Sequence, residues 1–129
     1  MPTITLSNPP TVHSTGGRYA HAVLVEGAKR RLVISGQVGS APDGTIVEGA
    51  EAQMKQAFAN LGAILAAHGM APSNVVKSTA FLTDRAHLPA YREARRQLFG
   101  DHASASTLLF VAGLADPKYV FEIEAEAVD

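Results

Sequence analysis

The sequence predicts an α+β domain, and three observations carry that reading. In two stretches apolar residues recur at three- and four-residue steps, the period of an amphipathic helix. Six other stretches are β-branched or alternate apolar with polar residues, as half-buried strands do. The resulting order, β-β-β-α-β-α-β-β over 129 residues, contains no repeat, low-complexity tract or linker, so residues 1–129 read as a single domain. A chain of this length buries about two thirds of the surface its unfolded form exposes, enough for one core without covalent staples.

Taken in order, "TITLS" (3–7) alternates and reads as a strand, and "NPPTVHSTGG" is a loop of turn formers. Tyr19 to Val25 and Arg31 to Val38 are rich in β-branched and apolar residues, and the short "EGAKR" between them predicts a hairpin. "GSAPDGTI" is a further turn region. In "VEGAEAQMKQAFANLGAILAAHGM", Val47, Ala50, Met54, Ala57, Phe58, Leu61, Ile64 and Leu65 fall on one helical face, with an end at His68-Gly69. "NVVKSTAFLTD" returns to strand character. "HLPAYREARRQLFG" places Leu88, Tyr91, Ala94, Leu98 and Phe99 on one side of a second helix that stops at glycine. "ASTLLFVAG" and "YVFEIEAEAV" are the closing strands. The two helices cover one sheet face. The other has no cover within the chain, although Val23, Leu24, Val33 and Ile34 put apolar residues on both faces, and this predicts self-association.

Composition narrows the function classes. Eleven Lys and Arg balance twelve Asp and Glu, without the basic footprint that nucleic-acid backbone requires, so no nucleic-acid partner is expected. With no cysteine there are no disulfides, thiolate nucleophiles or thiolate metal sites, which suits a reducing compartment. The opening "MPTITLSNPP" lacks a basic segment followed by an apolar run, and no eighteen apolar residues stand together. The expectation is a cytoplasmic protein with no membrane partner. Five histidines, 13, 21, 68, 87 and 102, show no helical i, i+4 pair or other metal-ligand spacing, so neither a metal nor a cofactor is expected.

The residues that suggest chemistry are few. Along the last strand Glu122, Glu124 and Glu126 point one way while Phe121, Ile123, Ala125 and Ala127 point the other. Such a row is either a solvated face or a face that turns one carboxylate into a site. Ser35-Gly36 lies mid-strand, where glycine weakens the ladder. It marks either a bulge or the close approach of a ligand or another chain. Arg92, Arg95 and Arg96 cluster on the second helix, with Arg95 beside the Tyr91 and Leu98 stripe and therefore at the edge of a packed surface.

The ordered blocks "GRYAHAV", "LVISGQVG", "QAFANLGAILAAHG", "VVKSTAFLTD" and "FEIEAEAV", from about Gly17 to Val128, resemble the Rid family, the YjgF-type or endoribonuclease L-PSP-like proteins. The resemblance implies a chorismate-mutase-like α+β fold, a mixed sheet of about six strands with two helices on one face. It also implies a homotrimer whose bare sheet faces line a central barrel, with a small-molecule metabolite bound in clefts between subunits. In the RidA branch the cleft hydrolyses enamines and imines. There, a Pro-Ala-Arg arginine grips the substrate carboxylate with a planar, two-pronged guanidinium. The carry-over places Tyr19, Ser35 and Gly36 against the ligand and makes Glu122 the residue that positions or activates water.

One departure changes the expected function. Anchored on "VAGL" (111–114), the Pro-Ala-Arg motif falls on Ser104, Ala105 and Ser106. The hydroxyl of Ser106 donates one neutral hydrogen bond where the family has paired charge-assisted ones. The expectation is therefore a small-molecule-binding member that does not deaminate 2-imino acids in the RidA manner, and in which Ser106→Arg raises that activity. Arg92 or Arg95 is a possible replacement cation. The alternatives are a hydrolase or deaminase of another enamine, imine or amide, using Glu122 as base with Tyr19 or Ser106 as donor, and a regulatory or chaperone-like binding protein without turnover.

Overall fold

The computed structural model describes residues 2–129. Six strands and two helices follow the expected order: β1 (Thr3–Ser7), β2 (Ala22–Glu26), β3 (Arg31–Val38), α1 (Ala50–Ala67), β4 (Val75–Leu82), α2 (Leu88–Phe99), β5 (Ala105–Phe110) and β6 (Phe121–Val128). Short 3-10 turns at Pro72–Asn74 and Arg85–His87 precede β4 and α2. The strands divide between a two-stranded sheet, β1-β2, and a four-stranded sheet in the order β3-β6-β4-β5. In the larger sheet β4 runs parallel to β5 and antiparallel to β6, and β3 is antiparallel to β6. No helix among the described residues is long and apolar enough to cross a membrane.

The predicted hairpin of the second and third strands does not form. β2 pairs with β1, Thr3 opposite Glu26 and Ser7 opposite Ala22, while β3 pairs with β6. The connector explains the switch: the amides of Lys29 and Arg30 donate to the carbonyl of Asp129, and the Asp129 amide returns a bond to Arg30. The Arg30 guanidinium adds an ion pair to the Asp129 carboxylate. Asp129, just past β6, is thereby bonded to the segment before β3, continuing the β3–β6 pair.

Alternation along β6 sets the two faces of the larger sheet. Phe121, Ile123, Ala125 and Ala127 are buried beneath the helices, with Ser78, Ala80 and Leu82 of β4 beside them. α1 contributes Met54, Ala57, Phe58, Leu61 and Leu65, and α2 contributes Tyr91, Ala94 and Phe99. Phe58 is central: its ring stacks on Phe121 at 5.4 Å and meets Phe99 edge-on at 6.3 Å. Burying each such side chain stabilises by about 1.5–3 kcal/mol. α1 ends as the glycine signal predicts. Gly69 takes φ 70°, its amide donates to the Ala66 carbonyl, and that of Met70 donates to Leu65.

Gln53, on the buried face of α1, was not singled out by periodicity because its amide is polar. Its Nε2 donates to the carbonyls of Val47 and Lys118 at 3.2 and 2.8 Å, and its Oε1 accepts from the Val120 amide at 2.9 Å. It ties the loop before α1 to the approach to β6. Backbone groups that would otherwise be buried without partners are satisfied in this way.

The opposite face of the sheet has no cover among the described residues. Val33 is 64% exposed and Leu109 44%, and the Glu122, Glu124 and Glu126 row runs between them.

Candidate functional site

A cleft of about 670 Å³ opens between α2 and β5, and its lining includes Tyr19, Tyr91, Arg92, Arg95 and Ser106. Its volume falls in the range of small-molecule sites, about 300–1,000 Å³. Three segments build it. β5 supplies Ser106, whose partner across the ladder, Ser78, lies opposite Ala125, on the face that packs under the helices. α2 supplies Tyr91, Arg92 and Arg95. The loop before β2 is drawn to the outer edge of β5 by the Ala20 amide, which donates to the Ser104 carbonyl at 3.0 Å, and this carries Arg18 and Tyr19 to the rim.

Inside the cleft Ser106 receives a long bond, 3.4 Å, from the Ser78 hydroxyl. The Tyr91 hydroxyl lies beside Ser106 and Arg95. Burial pushes its pKa above the usual phenol value, and the charge of Arg95 and the polar groups of Ser106 and Arg95 beside it hold it back in part. Arg95 packs over the Phe99 ring at 5.3 Å, and its Nη1 donates to the Arg18 carbonyl at 3.4 Å. Its Nη2 is shut off from solvent and has no hydrogen-bond acceptor. His102, also in the lining, spends its Nε2 on the Val75 carbonyl at 2.8 Å.

Ser35, Gly36 and Glu122 lie elsewhere. Glu122 pairs across the sheet with Val38 and Phe81 and points away from the helices, on the face opposite Ser106. The ladder shifts register between Ile34 and Gln37, so Ser35-Gly36 is a bulge. It is a close approach as well: the Glu122 side chain lies against Gly36, where an added Cβ would come within 2.7 Å of its Cδ. The other two glutamates differ. Glu126 is held by Arg31, with Nη2 2.9 Å from Oε2, and Glu124 is exposed.

Within one chain the candidates therefore form two groups, Tyr19, Arg95 and Ser106 in the cleft and Ser35, Gly36 and Glu122 on the bare face. Tyr91 was expected only as a core residue. Its position four residues before Arg95, on the same helical face, was the signal that it shares the Arg95 surroundings. Among the described residues no group of three or more His, Asp or Glu is placed to hold a metal ion.

A family model described as endoribonuclease L-PSP matches residues 11–129. The human protein named 2-iminobutanoate/2-iminopropanoate deaminase is 40% identical over 114 residues, 87% of this chain and 80% of that protein. A RutC family protein of Aquifex aeolicus is 35% identical over 113 residues, 87% of each chain. Among solved structures, the Rid-family protein YyfB of Yersinia pestis superposes with a TM-score of 0.85 at 30% identity, covering 97% of this chain and 98% of that one. E. coli TdcF, solved with bound serine, gives 0.72 at 28% identity over 86% and 87% of the two chains.

Proposed function

This chain belongs to the Rid family, the group described as endoribonuclease L-PSP, and from that premise we propose that it binds a small metabolite in the cleft between α2 and β5 without RidA-type deamination of 2-imino acids. The residue that carries the proposal is Ser106: in our reading of the resemblance it stands where the family has its arginine, and in the cleft its hydroxyl accepts from Ser78 and lies beside the Tyr91 hydroxyl. The relatives named for deamination of 2-iminobutanoate, and the serine found in TdcF, support a small-molecule ligand as the class. Replacing paired charge-assisted bonds by one neutral hydroxyl removes about 2–4 kcal/mol of anchoring in a dewatered site, which corresponds to about 30- to 1000-fold in rate at low substrate.

The assembly in this proposal is a homotrimer. A neighbouring copy covers the bare sheet face, and because Glu122 and Ser106 lie on opposite faces of the sheet, only a second chain can bring Glu122 to the cleft. A second reading, a hydrolase or deaminase of another enamine, imine or amide with Glu122 as base, is favoured by one feature. Glu122 is half-buried with no ion-pair partner among the described residues, so its carboxylate is free to orient a water.

The experiment generates 2-iminobutanoate with an amino-acid oxidase and follows its loss in competition with a trapping agent, for the wild type and Glu122→Gln. The expected result is wild-type hydrolysis close to the uncatalysed rate. Rapid hydrolysis that Glu122→Gln abolishes overturns the binding reading.

A further inference from the structure

Four arginines, Arg18, Arg92, Arg95 and Arg96, line the α2–β5 cleft, and Asp101 is the one carboxylate in its lining. Arg96 is paired with Glu93 at 2.7 Å. The other three have no ion-pair partner among the described residues. Arg18 and Arg92 are exposed and keep their water. Arg95 keeps only part of it: it is half-buried and packed on Phe99, and its Nη2 has neither solvent nor an acceptor.

A buried N–H without an acceptor costs free energy, and more when the group is charged. The Tyr91 hydroxyl beside Arg95 is neutral; the Arg18 carbonyl and the Phe99 ring take up part of the cation's interactions, but no carboxylate pairs with it among the described residues. An acceptor that carries negative charge and comes from outside the chain would fill this gap.

We propose that Arg95 is an anion anchor, and that the ligand of this cleft carries a carboxylate or phosphate oxyanion held by the Arg95 guanidinium, with the Tyr91 hydroxyl donating to the same group. This deepens the reading of the cleft as a ligand site and rests on it. The cation is delivered from α2, across the cleft from strand position 106, so the anion is seated against the helix. A small rotation of Arg95 exposes Nη2, and the 3.4 Å bond to the Arg18 carbonyl, at the long end for a hydrogen bond, resists it little. Arg92 and Arg18 at the rim add attraction at longer range, which salt screens.

The test is an NMR titration of the full-length protein that follows backbone amides and arginine Nε–Hε signals. The probes are propionate, inorganic phosphate and neutral propionamide, and the proteins are wild type, Arg95→Gln, Arg95→Lys and Arg92→Gln. The expected result is that at least one anion shifts the Arg95 Nε–Hε signal. Arg95→Gln then weakens that anion by about 30-fold, Arg95→Lys retains part of the affinity, and Arg92→Gln changes it by about 5-fold or less. The relative affinities of propionate and phosphate identify which oxyanion the site prefers. Anion binding that Arg95→Gln leaves unchanged overturns the proposal. Binding of propionamide alone also overturns it while leaving the cleft a ligand site. No response to any of the three probes removes both readings.

Discussion

The side chain of Glu122 occupies the space into which a side chain at residue 36 would grow: a Cβ added to Gly36 would lie 2.7 Å from Glu122 Cδ and 3.0 Å from its Cγ. Glycine in a strand ordinarily weakens it. Here the absence of a side chain lets a neighbouring carboxylate lie flat on the bulge. Gly36→Ala is expected to displace the Glu122 carboxylate and to destabilise by about 1 kcal/mol, since the far end of a flexible side chain can swing away. In a Glu122→Ala background the same substitution is expected to cost nothing. Urea denaturation of the four proteins in this double-mutant cycle checks it; equal costs in both backgrounds would refute the contact.

The uncovered face predicts the assembly. Light scattering after size exclusion is expected to give about three times the 13.5 kDa chain mass. Val33, 64% exposed beside the glutamate row, is the position to test. Val33→Lys is expected to lower the mass, because it puts a charge in place of an exposed apolar side chain on this face, whereas Val12→Lys in the loop before β2 leaves it unchanged. A wild type that runs as a monomer refutes the homotrimer.

Cleft geometry alters what an arginine at position 106 would do. Ser106 shares the surroundings of Tyr91 with Arg95, so a guanidinium introduced there meets one already in place. Two like charges about 4–5 Å apart near a protein surface repel by roughly 3–4 kcal/mol before water and side-chain motion relieve part of it. Ser106→Arg is expected to destabilise by about 1–3 kcal/mol, and Arg95→Gln in the same chain to recover most of the loss. Imine hydrolysis is expected to rise in the double variant above either single one. Thermal and urea denaturation with the trapping assay measure both effects, and a Ser106→Arg chain as stable as wild type would contradict the placement.

Tyr91 predicts a pH dependence. Burial raises its pKa above the usual phenol value, and the nearby Arg95 and Ser106 moderate the rise. The folded chain thus holds this proton more tightly than the unfolded one. The associated stability is fully present below the unfolded value, about 10, and is lost as pH climbs through the raised folded value. Tyr91→Phe is expected to flatten this alkaline loss, and Arg95→Gln to raise the Tyr91 pKa further by removing the cation that favours phenolate. Phenolate absorbance and urea midpoints across the alkaline range measure them.

The sequence by itself determined the eight elements and their order, the end of α1 at Gly69, and the two faces of β6. Those are local properties: a period of 3.6 or 2 assigns each residue to a face without reference to any distant one, and glycine at positive φ stops a helix wherever it falls. Only the tertiary structure decided that β3 pairs with β6 and β2 with β1, because the β3–β6 pairing, continued by bonds between residues 29–30 and 129, is a contact of high sequence separation that no local pattern encodes. The same holds for the site. Tyr91, Arg95 and Ser106 come together because a parallel β4–β5 pair lays Ser106 beneath α2, while Glu122, one strand further into the sheet, looks out of the other side. Alternation could say that each residue faces up or down on its own strand. Which strands share a face, and what covers it, depends on how the chain closes upon itself.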